Sequence, residues 1–230
     1  DGRITSYSID LVNFFLIFQD AETLSADLRD IAVDGNTAYV AAGASGLHVV
    51  NVTNPAVITR TSTIGALGQV SGVVVRNGIV YLATDTAFRI MKPGAGGALE
   101  SAGSIALPAF VRFTVSGSIA FLGIPGLNRL ISVDVSNPDA PRELGRFAMP
   151  ASSSPFRAIE ASGPFIYVAH GNAGLFAVSA ENPSALQVID SSGPDFPGAT
   201  FDAISLLGNR LAAHTPSLNT KAQLFRCADD

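Results

Sequence analysis

The 230-residue sequence contains no tryptophan, a single cysteine (Cys227) and only two lysines. Charged residues make up 14% of the chain, compared with about a quarter of an average soluble domain. One cysteine excludes an internal disulfide. The net charge is −5, so the chain lacks the basic stripe that neutralises phosphates, and we expect no nucleic-acid partner.

Long apolar segments and enzyme motifs are missing as well. No apolar run approaches the roughly 20 residues that a membrane-spanning helix needs, so we expect no membrane insertion. The stretch Gly94-Ala-Gly-Gly97 is not followed by Gly-Lys-Ser/Thr and is no phosphate loop. No Gly-x-Ser-x-Gly elbow or Asp-rich calcium loop occurs. We therefore expect no cofactor.

The chain does contain a recurring pattern: a turn glycine, a short apolar strand, a second glycine, another apolar strand and then Asn-Pro. The turn glycines recur at intervals of 39 to 46 residues, and they are Gly35, Gly78, Gly117, Gly163 and Gly208. In each unit the pattern predicts a second strand (37–41, 79–83, 118–122, 165–169, 210–213) and a third strand (47–52, 88–91, 130–135, 175–178, 222–227). Pro cannot donate to a sheet, so the Asn-Pro pairs are interpreted as strand terminators.

Repeats of this length and composition are typical of four-stranded propeller blades. The sequence therefore predicts an all-β fold, a β-propeller of four-stranded blades with about five blades' worth of chain, or an arc of a larger propeller. A single domain spans residues 1–230, and its predicted units are 28–68, 69–109, 110–155, 156–200 and 201–227. Residues 1–27 belong to a blade that is shared with the ring or precedes it.

The two ends of the chain do not fit a simple closed ring. Residues 4–10 fill a third-strand position and 14–20 a fourth, whereas the chain stops just after the third strand at 222–227. Two segments would thus compete for one position, and we expect imperfect or externally completed closure. The start at Asp1-Gly2 without Met suggests a processed protein or a segment of a longer one. Residues 20–30 could be argued helical, but their place in the repeat favours an outer strand and loop.

Three segments from two of the repeat units carry a family resemblance. The pattern Ala38-Tyr-Val-Ala, Gly46-Leu-His-Val-Val-Asn-Val-Thr-Asn-Pro55 and Leu130-Ile-Ser-Val-Asp-Val-Ser-Asn-Pro138 resembles the LVIVD-repeat β-propellers. The resemblance covers about residues 30 to 227 and is weakest in the second unit. It implies a propeller of exported or cell-surface proteins of bacteria and archaea, without assigned catalysis. Absence of Trp argues against the WD class, and no Gly-Gly doublet recurs as in kelch repeats.

Charged residues recur where the first strand of a unit begins. Arg29, Arg157 and Asp202 lie six residues before a turn glycine, and Asp30 and Arg112 lie one residue later. Because the first strand of a blade is the innermost, these side chains could surround one mouth of the central channel. Guanidinium groups there could hold a carboxylate or phosphate. The alternative is that the arginines pair with Asp30, Asp202 and Glu160 and join neighbouring blades.

Aromatic and imidazole side chains recur near the same places. Phe110, Phe156 and Phe201 share one offset, which inter-blade packing explains. His170 and His214 follow the second strands of consecutive units and could begin a metal site, but such a site needs three or four ligands. No carboxylate is obviously paired with them, so ordinary loop histidines are the alternative. His48 lies inside an apolar strand, where we expect a hydrogen-bonded structural role.

Two functions from different classes remain. The first is a noncatalytic scaffold or binding module of a secreted or cell-surface protein, located outside the cell, at its surface or in the periplasm. Its partners would be other protein subunits, further domains of the same chain or a surface glycan. The second is a propeller hydrolase or lyase that uses a metal or the Arg/Asp residues at the channel mouth. The resemblance and the missing catalytic motifs favour the first, and we do not expect an enzyme.

Overall fold

The structure, a computed structural model, describes residues 2–13, 15–108, 111–124, 126–153, 155–192, 200–207, 210–215 and 221–226. The chain forms two compact units, residues 1–110 and 111–230. In the described residues the regular structure is β-strand apart from one short 3-10 turn at Ala95–Gly97. Within those residues no helix combines the length and apolar character needed to cross a membrane.

Both units consist of short strands, and the strands are antiparallel to their neighbours. In the first unit they are β1 (Arg3–Asp10), β2 (Phe15–Thr23), β3 (Asp30–Asp34), β4 (Thr37–Ala41), β5 (Leu47–Asn51), β6 (Thr59–Ile64), β7 (Val70–Arg76), β8 (Ile79–Thr84), β9 (Ala87–Pro93) and β10 (Leu99–Ala106). In the second unit they are β11 (Arg112–Ser116), β12 (Ile119–Ile124), β13 (Arg129–Asp134), β14 (Arg142–Ala148), β15 (Ala158–Ser162), β16 (Phe165–Ala169), β17 (Leu175–Ser179), β18 (Gln187–Ser191), β19 (Ala203–Leu207), β20 (Arg210–Thr215) and β21 (Lys221–Arg226).

These strands form one two-stranded sheet, four four-stranded sheets and one three-stranded sheet among the described residues. We call β1–β2 the hairpin sheet, and name the others sheet 1 (β3–β6), sheet 2 (β7–β10), sheet 3 (β11–β14), sheet 4 (β15–β18) and sheet 5 (β19–β21). In every sheet each strand pairs with the next one along the chain. The predicted four-stranded antiparallel repeat is therefore confirmed, and the observed second and third strands lie within two residues of the predicted bounds.

Tight two-residue turns join the first and second strands. Gly35, Gly117 and Gly163 take the first turn position with φ between 54° and 56°, a left-handed conformation that glycine adopts without a Cβ clash. The alignment on Gly78 was wrong by one residue. In sheet 2 the closing pair is Arg76 with Ile79, so Asn77 holds the first position at φ 50°. Asn tolerates this conformation, so the first turn position does not require glycine, and in sheet 2 the glycine lies at the second position.

A bulge interrupts the pairing of the third strand with the fourth. The register shifts after Val49 in sheet 1, Ser132 in sheet 3 and Ala177 in sheet 4. The hairpin sheet has the same shift after Ser6. This shared irregularity fits the predicted correspondence of β1 and β2 to a third and a fourth strand, which stays a prediction.

The cores lie between consecutive sheets. In the first unit Val73, Val80 and Leu82 of sheet 2 pack on Ala41 and Leu47 of sheet 1. On the other face of sheet 1, a cluster of Ala38, Val40, Val50 and Ile58 packs with Ile4, Leu24 and Leu28. Similar clusters join sheet 3 to sheet 4 and sheet 4 to sheet 5. Within each unit, neighbouring sheets thus bury apolar faces against one another, as the repeat pattern predicts.

Other predicted features have the following outcomes. Phe156 and Phe201 are buried in the two clusters of the second unit, so the packing role is confirmed for both, whereas Phe110 lies outside the described residues. Residues 20–30 are not helical: β2 extends to Thr23 and irregular chain follows. Cys227 also lies outside the described residues. The single-domain assignment and the unit boundaries stay predictions.

Candidate functional site

The charged residues at the sheet entries occupy equivalent backbone positions. The backbone N–H of Arg29 donates to the carbonyl of Ala41, that of Arg157 to Ala169 and that of Asp202 to His214, at 2.9, 2.9 and 3.0 Å. Asp30 and Arg112 lie one residue later, opposite Ala41 and Gly123. The positional repeat in the sequence therefore corresponds to one structural position, where the chain enters the first strand of a sheet.

In the first unit Arg29 is held by side chains of the fold. Its Nε and Nη2 atoms donate to both oxygens of the Asp27 carboxylate at 2.8 to 3.1 Å. Nη2 also donates to Oε1 of Gln69 at 3.0 Å, just before the first strand of sheet 2. The hydrogen bonds from Arg29 lower the pKa of the Asp27 carboxyl, and the pKa of Arg29 is raised by the same contact. Asp27, in the loop before β3, was not among the acidic partners that the sequence suggested for the arginines.

Asp30 instead accepts a hydrogen bond from the next sheet. Its Oδ2 atom accepts the backbone N–H of Val73 at 2.9 Å, while Oδ1 accepts that of Ile31. At the other end of β3, Oδ2 of Asp34 accepts the backbone N–H of Gly78 at 3.1 Å. Both carboxylates of this first strand therefore bind the backbone of sheet 2. This arrangement joins the two sheets and engages Asp30 within the fold.

We predict that Asp30→Ala lowers the free energy of unfolding by about 1 to 2 kcal/mol, because the N–H of the buried Val73 loses its acceptor. Asp34→Ala is the matched control. Its partner Gly78 lies in an exposed turn, where water can replace the carboxylate, so we expect a smaller loss. Urea unfolding followed by circular dichroism measures both values. Equal losses from the two variants would show that burial of the Val73 N–H does not increase the cost of removing its acceptor.

In the second unit the structure brings Arg157 and Asp202 together. Nε of Arg157 lies 3.7 Å from Oδ1 of Asp202, and both side chains are partly exposed. The distance fits an ion pair and is longer than a hydrogen bond. Since the two residues enter sheets 4 and 5, this pair joins consecutive sheets, as the alternative interpretation expected. Arg112 lies exposed at the entry of sheet 3. A ligand site formed by these charges stays a prediction.

His170 is fully buried next to the second strand of sheet 4. Its Nε2 lies 3.0 Å from the carbonyl oxygen of Pro150. Since a carbonyl only accepts, Nε2 carries the proton. The ring stacks on Phe156 with 4.1 Å between centroids and an interplanar angle of 24°. Burial lowers the pKa of His170, and the hydrogen bond with Pro150 opposes that shift. These contacts give His170 a packing role.

His214 does not share the environment of His170. It is exposed on β20 and lies opposite Ala203, a position that Ala169 holds in sheet 4. The two histidines are therefore offset by one residue in their sheets, and side chains of neighbouring strand residues point to opposite faces. In the part of the chain that the structure describes, no group of three or more His, Cys, Asp or Glu is placed to hold a metal ion.

His48 is the second buried histidine. Its Nδ1 lies 2.8 Å from Oγ1 of Thr63, and its Nε2 lies 3.3 Å from Oγ of Ser25. Burial is the main cause that lowers the pKa of His48, and the positive charge of Arg60 adds to it. The imidazole thus connects the third and fourth strands of sheet 1 with the segment before β3. This confirms the hydrogen-bonded structural role expected from the sequence.

The hairpin sheet has an apolar surface that the sequence reasoning missed. At its bulge the hairpin sheet is anchored to sheet 1: Ser6 Oγ donates to the carbonyl of Pro55, and Oδ2 of Asp20 accepts the backbone N–H of Ile58 at 2.8 Å. On one face of its distal half Phe15 (52%) and Ile17 (41%) are exposed, and on the other face and at the tip the exposed large side chains are Tyr7 (49%), Ile9 (66%), Leu11 (76%), Val12 (83%), Leu16 (63%) and Phe18 (56%). We call the latter six residues the apolar arm. The uninterrupted apolar run over residues 14–18 could have indicated this surface in the sequence.

The comparisons with known proteins agree with this architecture. The family model described as LVIVD repeat matches residues 26–63, 114–149 and 157–192. These segments begin shortly before or within sheets 1, 3 and 4. Sheet 2, where the resemblance was weakest, is not matched. The comparison with curated proteins gives no significant match.

Solved structures show the same fold at low sequence identity. The chain superposes on a candidate 6-phosphogluconolactonase from Bacteroides fragilis with a TM-score of 0.78 and 13% identity, covering 96% of this chain and 73% of that one. The β-propeller domain of Cps50 (Swd1) from Myceliophteria thermophila gives 0.70 and 13%, covering 95% and 75%. The computationally designed Ika8 protein gives 0.68 and 12%, covering 86% and 60%. The chain thus spans 60 to 75% of the length of these three structures. Its fold is a β-propeller of four-stranded blades.

Proposed function

We propose that this chain, which belongs to the LVIVD-repeat proteins and folds as a β-propeller, is a noncatalytic scaffold or binding module. It contacts other protein subunits, further domains of its own chain or a surface glycan, and it works in a secreted or cell-surface protein. Fold alone does not supply this function. The proposal therefore depends on which side chains the molecule presents to solvent and which it uses internally.

The observation that carries the proposal is the apolar arm. Its six side chains are 49 to 83% exposed. Single exposed apolar residues are common on soluble proteins, whereas a contiguous group of large ones marks an interaction surface. Apart from the phenol of Tyr7, the six side chains are hydrocarbon, so the arm offers mainly apolar contact area. A surface of this composition is suited to binding another apolar surface.

The charged residues at the sheet entries support the same conclusion. Arg29 contacts Asp27 and Gln69, and Asp30 accepts the Val73 N–H. Arg157 pairs with Asp202. Contacts of this kind hold consecutive sheets together and stabilise a rigid support for a binding surface. General acid–base chemistry would instead need a group directed at a substrate position.

The location outside the cytoplasm follows from the family resemblance, which implies exported or cell-surface proteins. Fractionation of the source organism tests this part, with antibodies raised against the chain. We expect the protein in the extracellular or cell-envelope fraction. Its recovery with cytoplasmic marker proteins would contradict the proposed location and would leave the binding role to be judged by the next experiment.

The binding role is tested with the purified, immobilised chain. Extracellular proteins and surface polysaccharide of the source organism are passed over it, and bound material is measured by biolayer interferometry. We expect saturable binding that decreases at least about tenfold in Val12→Asp, since a charge at an apolar contact must be desolvated. Ester, phosphoester and glycoside substrates are assayed in parallel, with and without divalent cations. Turnover that disappears in Asp202→Asn would contradict the noncatalytic assignment.

A further inference from the structure

The bulge shared by the hairpin sheet and sheets 1 and 4 shows which residues of the hairpin sheet correspond to core positions elsewhere. Tyr7 follows the bulge in β1, as Val50 does in β5 and Val178 in β17. Both valines are fully buried, whereas Tyr7 is 49% exposed. A position that the repeat uses for sheet-to-sheet packing is therefore open to solvent on the hairpin sheet.

Leu16 gives the same result on the fourth strand. Leu16 pairs with Ile9, which lies three residues after Ser6, the last residue before the bulge. When the register of sheets 1 and 4 is counted in the same way from their bulges, the corresponding residues are Ile58 and Leu186. Those two side chains are 3% and 1% exposed, compared with 63% for Leu16. Tyr7 and Leu16 thus occupy positions that are buried in sheets 1 and 4, but they remain largely exposed among the described residues.

The arm presents a compact face because its side chains lie directly opposite one another. Tyr7 pairs with Phe18 and Ile9 with Leu16, and side chains of paired residues lie on the same side of a sheet. Tyr7 and Phe18 make an edge-to-face contact with 5.9 Å between ring centroids. This contact holds the two aromatic rings in place, so their ordering costs little on binding.

We propose that the apolar arm is a homodimer interface, in which the arms of two copies pack face to face about a two-fold axis. The inference rests on the proposed function and names one partner, a second copy of this chain. A two-fold axis through the middle of the face places Tyr7 and Phe18 of one copy over Ile9 and Leu16 of the other. Face-to-face sheets pack about 10 Å apart with interdigitating side chains.

The area is sufficient for such a dimer. An aromatic side chain buries 150–250 Å² and an aliphatic one somewhat less, so each arm residue, at 49 to 83% exposure, presents about 100 Å² and the six present about 600 Å². Two copies would then bury about 1,200 Å², the lower end of the range for specific interfaces. Closed two-fold dimers are also the commonest symmetric assemblies, because one self-complementary patch serves both subunits.

Two other occupants fit the arm less well. Among the described side chains of sheet 5 in a second copy, the exposed ones are Ala203, Ser205, Arg210 and His214, which are too small or too polar to cover four large apolar side chains. A lipid bilayer would have to accept Asp10, whose carboxylate is bound to the turn at the tip of the arm. The apolar face of a second arm has neither disadvantage.

Sedimentation velocity of the purified chain between low and high micromolar concentration tests the inference. We expect a concentration-dependent dimer, and we expect Leu16→Glu to weaken it about 100-fold, because two carboxylates would be buried without a partner. Ile189→Glu is the matched control, since Ile189 is an exposed apolar residue of sheet 4 and its change should leave the dimer intact. Phe18→Ser provides a second, uncharged arm variant. Circular dichroism spectra should be unchanged in all three.

Each outcome decides for or against the dimer. A monomer at every concentration overturns the inference, and so does a dimer that Leu16→Glu leaves unchanged. Cosedimentation of the monomer with phosphatidylcholine vesicles would overturn it in favour of a membrane. A monomer that still binds an extracellular protein or glycan leaves the proposed function in place and rejects only the dimer. A dimer that binds no other component, and that turns over a substrate, supports the inference and rejects the proposed function.

Discussion

Gly46→Ala is expected to lower the free energy of unfolding by about 3 to 5 kcal/mol, because two costs add at this residue. The first is conformational. Gly46 has φ 86°, in the left-handed region, where a residue with a Cβ atom costs about 1 to 2 kcal/mol. The second is steric, since a Cβ atom on Gly46 would overlap the backbone carbonyl oxygen of Ile64.

Neither backbone in this contact can move easily. The carbonyl of Gly46 accepts the N–H of Ala42, and its own N–H donates to the carbonyl of Gly43 at 3.1 Å. Gly43 in turn exchanges backbone hydrogen bonds with Val70 at the entry of sheet 2. Ile64 pairs with Leu47 at the end of the β5–β6 ladder. A shift of the loop would therefore break bonds within sheet 1 and between sheets 1 and 2.

Gly35→Ala is the matched control for the conformational cost. Gly35 has φ 54° and no atom lies near the Cβ position that a side chain would take. The expected loss is therefore about 1 to 2 kcal/mol, from backbone conformation alone. Urea unfolding of both variants gives the two values. If Gly46→Ala costs no more than Gly35→Ala, the close approach of the Ile64 carbonyl does not restrict residue 46.

The strands of this protein could be predicted from sequence because each one combines two local signals. Residues 37–41 and 165–169 follow a turn glycine and contain an aromatic among small apolar residues, and the observed β4 and β16 have the predicted bounds. Local signals were less reliable where two residue types serve one conformation. Asn77 and glycine both adopt positive φ, so Asn77 holds the turn position that glycine holds in sheets 1, 3 and 4. Aligning the repeats on Gly78 therefore displaced this unit by one residue, and nothing in the sequence pattern indicated the displacement.

The candidate site could be predicted only in part, because pairing depends on loops as well as on strand positions. The pair Arg157–Asp202 was foreseeable, since both residues lie at the same position of consecutive sheets. Asp27 lies in an irregular segment before β3, where no periodicity indicates the direction of a side chain. The partner of Arg29 was missed for that reason.

Exposure of the arm was not predictable for a different physical reason. Tyr7 and Leu16 have the side chains of buried strand residues, and their strand assignment was right. Burial, however, is a property of the neighbour that packs on a strand. In sheets 1 and 4 a preceding sheet covers the corresponding residues, whereas Tyr7 and Leu16 of the hairpin sheet are 49% and 63% exposed.

Acidification from about pH 7 to about pH 5 is expected to destabilise the protein through its two buried histidines. Burial lowers the pKa of both His48 and His170 below the ordinary value of about 6.5. Below that pH the imidazoles of the unfolded chain take up protons, while the buried ones stay neutral until the lower folded pKa is reached. The unfolded state then binds more protons, so the free energy of unfolding falls as the pH falls.

The upper limit of the effect follows from proton linkage. Each histidine contributes up to about 1.4 kcal/mol per pH unit between the unfolded and folded pKa values, and the pair up to about 2.7. The carboxyls of Asp10, Asp27 and Asp134 also have lowered pKa values. Their contributions are lost only below about pH 4, the ordinary range of an aspartate, so they do not overlap this window.

Urea unfolding at several pH values measures the slope directly. His48→Gln should reduce the slope by about half, because a glutamine can still bond Thr63 and Ser25 but cannot take up a proton. His170→Gln removes the other half, although it also loses the stacking on Phe156 and therefore lowers stability at neutral pH. A slope that survives the double variant His48→Gln/His170→Gln would assign the acid sensitivity to groups other than the two buried imidazoles.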